Sequence, residues 1–133
     1  MTTTDTKIKK NFFYKGKEYR CTLELAMDVI GGKWKSLLIF HLRNGAMRSS
    51  ALQHSLSGIS NKMFTQSVRE LEAEGIVKRE IFPVIPPKVE YSLTDKGQTL
   101  VPIMENLAKW GVSICDKKAS AKTGCTKKNS EKS

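Results

Sequence analysis

The chain has 133 residues, 39% of them hydrophobic, and a formal net charge of +10, which suits one small domain with polar ends and an anionic partner. Six Lys/Arg in residues 1–20 and six Lys in residues 116–133 carry most of that charge, leaving +2 for residues 21–115. No apolar run approaches the roughly 18 residues of a membrane span, no signal-peptide core opens the chain, and Cys21, Cys115 and Cys125 lack CxxC spacing. Neither a disulfide framework nor a metal site is indicated, so we expect a cytoplasmic protein without membrane, metal or cofactor.

Residues 1–20 read as an N-terminal arm, partly disordered. Phe12, Phe13 and Tyr14 are too apolar for a free tail and should dock on the body or across a dimer. From Thr22 the spacing predicts a helix over 22–30, with Leu23, Ala26, Met27 and Ile30 at helical intervals. Gly31-Gly32 ends it. Gly-Gly-Lys lacks the spacing and the Ser/Thr of a phosphate loop, so it reads as a helix break. A second helix is predicted over 33–44, with Trp34, Leu37, Leu38, His41 and Leu42 inward and Asn44-Gly45 as its stop. His41 belongs at the core edge, because no catalytic partners accompany it, and His54 at the surface. Met47-Arg48 predicts a short strand before Ser49, which should cap a helix over 50–56 with Leu52 and Leu56 inward.

The Ser57-Gly58-Ile59 turn delivers the chain into a helix over 60–74, and two helices joined by a tight glycine turn make a helix-turn-helix. Ser60 is a good N-cap and Gly75 a good C-terminal stop. Met63, Phe64, Ser67, Val68 and Leu71 gather on one side of this helix. Lys62, Thr65, Gln66, Arg69 and Ala73 gather on the other, with the glutamates pushed towards the C-terminal end. Arg can bond guanine bidentately, Gln can bond adenine, a Thr methyl can meet that of thymine, and Lys can hold a phosphate. Ser60, Asn61, Lys62, Thr65, Gln66 and Arg69 are therefore candidate DNA contacts, joined by Arg48. An ordinary amphipathic helix is the alternative.

After Gly75 the period changes. Ile76–Phe82 is β-rich, and Val89, Tyr91 and Leu93 alternate with Lys88, Glu90 and Ser92. Pro83-Val84-Ile85-Pro86-Pro87 cannot continue a ladder, which predicts a wing hairpin over 76–93. Lys78, Arg79 and Lys88 are placed for the DNA backbone or minor groove. Thr94-Asp95 should cap a long helix over 95–116 whose first turn Pro102 kinks or divides. Leu100, Ile103, Leu107, Trp110 and Ile114 form a seam suited to pairing with another helix. Phe12, Phe13, Leu107, Trp110 and Ile114 are the candidate dimer contacts, and residues 117–133 read as a disordered lysine-rich tail. The fold class is mainly α with a small β wing, a winged helix-turn-helix with a C-terminal dimerisation helix over 21–116.

Five stretches carry a family resemblance: Cys21 with Ile30–Trp34, Gly58–Met63, Arg69–Val77, Pro86–Thr94, and Trp110-Gly111. In this order they resemble the HxlR-type winged-helix regulators, relatives of the MarR group, over about residues 21–111. The resemblance implies a bacterial or archaeal cytoplasmic homodimer that binds double-stranded operator DNA, usually as a repressor, and that dimerises through its terminal helices. It names neither an operator nor a small-molecule effector. Ser49-Ser50 departs from the aromatic-polar pair of many relatives, and the long lead and lysine-rich tail are not family features. Some relatives respond to oxidants or electrophiles through a cysteine at the position of Cys21. Here that cysteine lies just ahead of a helix N-terminus and beside Arg20, both favouring thiolate, with Glu18 and Glu24 partly opposing them, and with Cys115 and Cys125 as possible partners. The competing role is a small side chain buried at a helix start. A winged helix can also be a protein-docking module, though docking surfaces present apolar or aromatic anchors. An enzyme is not indicated, with only two His and no catalytic cluster.

Overall fold

A computed structural model describes residues 11–116. Strands β1 (Phe12–Tyr14) and β2 (Lys17–Tyr19) pair antiparallel across the two-residue turn Lys15-Gly16. Both turn residues have positive φ, 49° and 81°, the hairpin geometry whose twist matches that of its strands. The hairpin lies inside the predicted arm; residues 1–10 and 117–133, with Cys125, fall outside the described residues.

Helix α1 (Thr22–Ile30) follows, with Cys21 at its N-cap position. The predicted helix is present, yet its stripe is not core: Ile30 is buried, whereas Leu23 and Met27 are exposed by 64% and 51%. Cys21, expected on one reading to be buried at a helix start, is exposed in the single chain. Helix α2 (Lys33–His41) stops three residues short of the predicted Asn44. It buries Leu38, Ile39 and Leu42, while Trp34, Leu37 and His41 stay half-buried. The buried arc is turned towards Ile39 because α2 packs against both of the next two helices.

After β3 (Met47–Arg48) come α3 (Ser49–Ser55) and α4 (Asn61–Ala73). Arg48, not Ser49, occupies the N-cap position of α3, and no side chain caps it. Leu52 and Leu56 point inward as predicted, and with Leu38, Ile39, Leu42, Leu71, Ile76 and Val77 they make the core. Strands β4 (Val77–Phe82) and β5 (Lys88–Leu93) form the wing hairpin, and β3 adds to give a three-stranded antiparallel sheet in the order β3-β5-β4.

The predicted 95–116 helix is divided, as Pro102 suggested. Thr94 caps only the short α5 (Asp95–Gln98), its Oγ1 accepting the Gly97 N–H at 3.1 Å, and α6 (Val101–Ile114) is the long helix. Gly97 is buried against the Ile76 carbonyl where any Cβ would collide, so this turn requires glycine. Residues up to Val101 form one compact unit and those from Pro102 another. Along α6 Met104 is buried, whereas Ile103, Leu107, Trp110 and Ile114 are at least half exposed.

Candidate nucleic-acid interface

Helix α4 is fastened at both ends by its own sequence. The Ser60 Oγ accepts the Met63 N–H at 3.0 Å, and beyond Ala73 the chain turns at Gly75 with φ 76°. There the Ile76 N–H donates to the Leu71 carbonyl at 3.0 Å and Gly75 to that of Glu72, the bonds of a Schellman stop. Phe64, Ser67, Val68 and Leu71 are buried, and the Phe64 ring meets Tyr91 of β5 edge to face at 6.2 Å. Met63 lies at the margin of that stripe. The opposite side is exposed: Asn61, Lys62, Thr65, Gln66, Arg69 and Glu70 line one shallow depression.

These side chains differ in freedom. Ser60 is committed to its cap, and the Asn61 carbonyl oxygen accepts a hydrogen bond from the Gln53 amide of α3, tying the two helices of the motif together. Gln66 Nε2 donates to Glu70 Oε2 at 3.1 Å, and Glu70 Oε1 accepts from Lys35 Nζ of α2 at 2.8 Å. Lys35, and then Gln66, hold the Glu70 carboxyl below the usual carboxylate range. Among the described residues the side chains of Lys62, Thr65 and Arg69 have no hydrogen-bond or ion-pair partner. Glu70, Lys35 and Gln53 were absent from the sequence-based set. The Gln66/Glu70 spacing of four was visible; the Lys35 contact required the fold.

On the wing, directly paired residues share a face. Arg48 lies opposite Glu90, Glu90 opposite Glu80, Lys78 opposite Ser92 and Phe82 opposite Lys88. Arg48, Lys78 and Lys88 therefore stand on one face together with Glu80 and Glu90. Arg79, paired with Tyr91, is on the other face, so the three wing cations grouped from sequence are split. Lys88 lies 3.4 Å from Glu90 and 4.7 Å from the Phe82 ring centroid, which offsets part of its charge. The wing tip is apolar, with Val84 half exposed and Ile85 99% exposed.

The N-terminal hairpin braces the far end of α4. The Tyr14 hydroxyl donates to Glu74 Oε1 at 2.6 Å, and Lys15 Nζ donates to the Ala73 carbonyl at 3.2 Å. Lys96 of α5 reaches the Glu74 carbonyl at 2.7 Å and Tyr14 at 3.1 Å. Two cations at a helix C-terminus also suit its dipole. At the other edge of the hairpin the Tyr19 hydroxyl and Lys17 Nζ donate to Asp28 of α1 at 2.8 and 3.0 Å, and Tyr19 first, then Lys17, hold that carboxyl low. Tyr14 thus docks on the body. Phe12 is half-buried and Phe13 is 70% exposed.

Cys21 opens onto a cleft with Tyr19, Leu23, Met27 and Asp28. Cys115 lies exposed just past α6, its Sγ 3.3 Å from the Val112 carbonyl. Among the described residues no group of three His, Cys, Asp or Glu could hold a metal ion, and no helix is long and apolar enough to cross a membrane.

Comparison with known proteins agrees with this geometry. The family described as HxlR-like helix-turn-helix matches residues 29–119. A Bacillus subtilis HTH-type transcriptional regulator, YybR, is 47% identical over 108 residues, covering 81% of this chain and 85% of that one. The structure of the redox regulator HypR in its oxidised form is similar with TM-score 0.69 and 46% identity, over 73% of this chain and all of that one. A transcriptional regulator of the MarR family from Porphyromonas gingivalis W83 has TM-score 0.71 and 33% identity, over 77% of this chain and all of its own.

Proposed function

The chain belongs to the HxlR-like helix-turn-helix family and is a transcriptional regulator of the MarR-like winged-helix type, and we propose that it binds an inverted-repeat operator as a cytoplasmic homodimer and represses transcription there. The observation that carries this reading is the exposed face of α4. Lys62, Thr65, Gln66 and Arg69 project from a helix capped at both ends and packed along its other side, so the donors they offer are already in place before DNA arrives. Arg69 and Gln66 contact base edges, Thr65 a thymine methyl, and Lys62, Lys78, Lys88 and Arg48 the phosphates. Ser60 and Asn61 bring the start of the helix to the backbone. The exposed seam Leu107, Trp110 and Ile114, helped by Phe12 and Phe13, joins two protomers, which sets the half-sites one helical turn or a multiple apart. A docking module would present aromatic anchors on the α4 face, and it has none. The test is titration of random and genomic DNA, including the region upstream of the protein's own gene, in rising salt. Sequence-selective retention supports the regulator; no binding even at low salt overturns it.

A second reading concerns the thiols. Cys21 is exposed at the N-cap position of α1, beside the hairpin that braces α4, and the similar HypR is a redox regulator. On this reading oxidation of Cys21, with Cys115 or Cys125 of the other protomer as partner, moves the recognition helices out of register and releases the operator. Diamide treatment followed by non-reducing electrophoresis and operator binding tests it. If Cys21→Ser loses DNA under oxidant as the wild type does, the sensor role fails.

A further inference from the structure

Gln66 does not stand alone on the α4 face. One of its two amide hydrogens is directed at Glu70 Oε2, 3.1 Å away, while Glu70 Oε1 is held by Lys35 Nζ at 2.8 Å. Lys35 comes from α2, which packs on α4, and its side chain is only 18% exposed. Both carboxylate oxygens of Glu70 are therefore engaged, and a cation from the body offsets a negative charge that would otherwise repel phosphate.

This arrangement restricts what Gln66 can offer. A free glutamine amide can rotate to exchange its oxygen and nitrogen. Beside Glu70 it cannot, because its carbonyl oxygen would face a second acceptor. The nitrogen must stay on the Glu70 side, which leaves one N–H donor and one carbonyl acceptor pointing outward. Adenine presents an acceptor at N7 and a donor at N6 in the major groove, and guanine presents two acceptors. One outward donor and one outward acceptor match adenine and leave guanine unsatisfied.

We propose that Lys35 and Glu70 are positioning residues that lock the Gln66 amide to select adenine over guanine at one base position of each half-site. This rests on α4 being the DNA-reading helix. In the free regulator the lock is already set, so the amide is not reorganised when the base is met.

The experiment is selection from a randomised duplex library, with the full-length wild type, Gln66→Ala, Glu70→Ala, Glu70→Gln and Lys35→Met compared at one salt concentration. The wild type should prefer adenine at one position per half-site, and Gln66→Ala should lose that preference. Both Glu70 variants should reduce adenine over guanine at that same position by roughly tenfold, within the range of one good bidentate contact. Lys35→Met should act there more weakly, and Gln66→Ala, which changes no charge, should keep the wild-type salt slope. A merely structural role for Glu70 would lower affinity for every sequence and leave the preference intact; that result, with an unchanged adenine preference in Glu70→Gln, overturns the lock. A shift at a different position from that of Gln66→Ala also overturns it, since Glu70 would then be touching a base itself. If the wild type selects no sequence at all, the DNA-reading function fails, and the lock with it.

Discussion

Helices α4 and α6 carry the same kind of apolar stripe in opposite surroundings. On α4, Phe64, Val68 and Leu71 recur at helical spacing and are buried by the chain itself. On α6, Ile103, Leu107, Trp110 and Ile114 recur at similar spacing and remain 50–63% exposed. A stripe shows that a helix will be covered on one side; it does not say by what. Helix α4 finds its cover at home and presents its polar side, whereas α6 presents its apolar side. An exposed run of this kind is the surface on which the proposed dimer rests, and the polar, partly cationic face of α4 is the one proposed to meet nucleic acid.

The sharpest way to break the comparison is Leu107→Asp. Burying a Leu is worth about 1.5–3 kcal/mol, and two-fold symmetry counts the contact twice. We expect that change to yield monomers in sedimentation equilibrium with little change in the helical spectrum of each chain. A wild type that stays monomeric at micromolar concentration would remove the dimer. The matching change on α4, Leu71→Ala, should act on the fold itself and cost about 2–5 kcal/mol of unfolding free energy in urea. A loss well below 1 kcal/mol would mean that the two stripes do not differ as described.

On the polar side, Arg69→Ala should cost roughly 1–3 kcal/mol per half-site and relax one base position, while Lys88→Ala should flatten the salt slope by at most about one unit across all sequences. Lys88 is the weaker of the two because Glu90 already holds it. Equal weakening of random and operator DNA by Arg69→Ala would show that this arginine reads no base.

The smallest effect expected is titration of His41. Burial, with Arg43 adding to it, pushes this imidazole below its ordinary value of 6.5. As pH falls through that value the unfolded chain takes up the proton first, so stability declines from about pH 6.5 downward until the folded pKa is reached. Melting temperatures between pH 7.5 and 5.5 should fall less in His41→Gln. Asp28, held low by Tyr19 and Lys17, adds a separate loss only at more acid pH.

What the sequence disclosed follows the range of the forces involved. The limits of α4 were legible because Ser60, Gly75 and the 3-4 stripe are local signals, and the wing because the period changes at Gly75. The division of the last helix, at residues 99–100 just ahead of Pro102, was legible for the same reason. The β1–β2 hairpin was missed, since strands of three residues are too short for alternation to register; Gly16 between the Phe12–Tyr14 run and Tyr19 was its only mark. The exposure of Leu23 and Met27 could not be read from spacing, which is identical for covered and uncovered helices. The Lys35–Glu70–Gln66 chain depends on α2 lying against α4, and the separation of Arg79 from Lys78 and Lys88 depends on strand register. Neither is local.

The order β3-β5-β4 leaves β4 at the margin of its sheet, with one side of its backbone unpaired within that sheet. Such a strand is an open template for another chain. Here the middle of β4 is Lys78-Arg79-Glu80, all exposed, and Pro83 follows its end. Two molecules approaching margin to margin would bring these charges together as they tried to form a continuous ladder, and the proline would deny one amide beyond it. On the DNA-binding reading proposed above, the charges of this edge would serve twice, the cations towards phosphate and the whole charged run against edge-to-edge pairing where many copies crowd together. Replacing Lys78 and Glu80 with valine should remove that protection before it alters the fold.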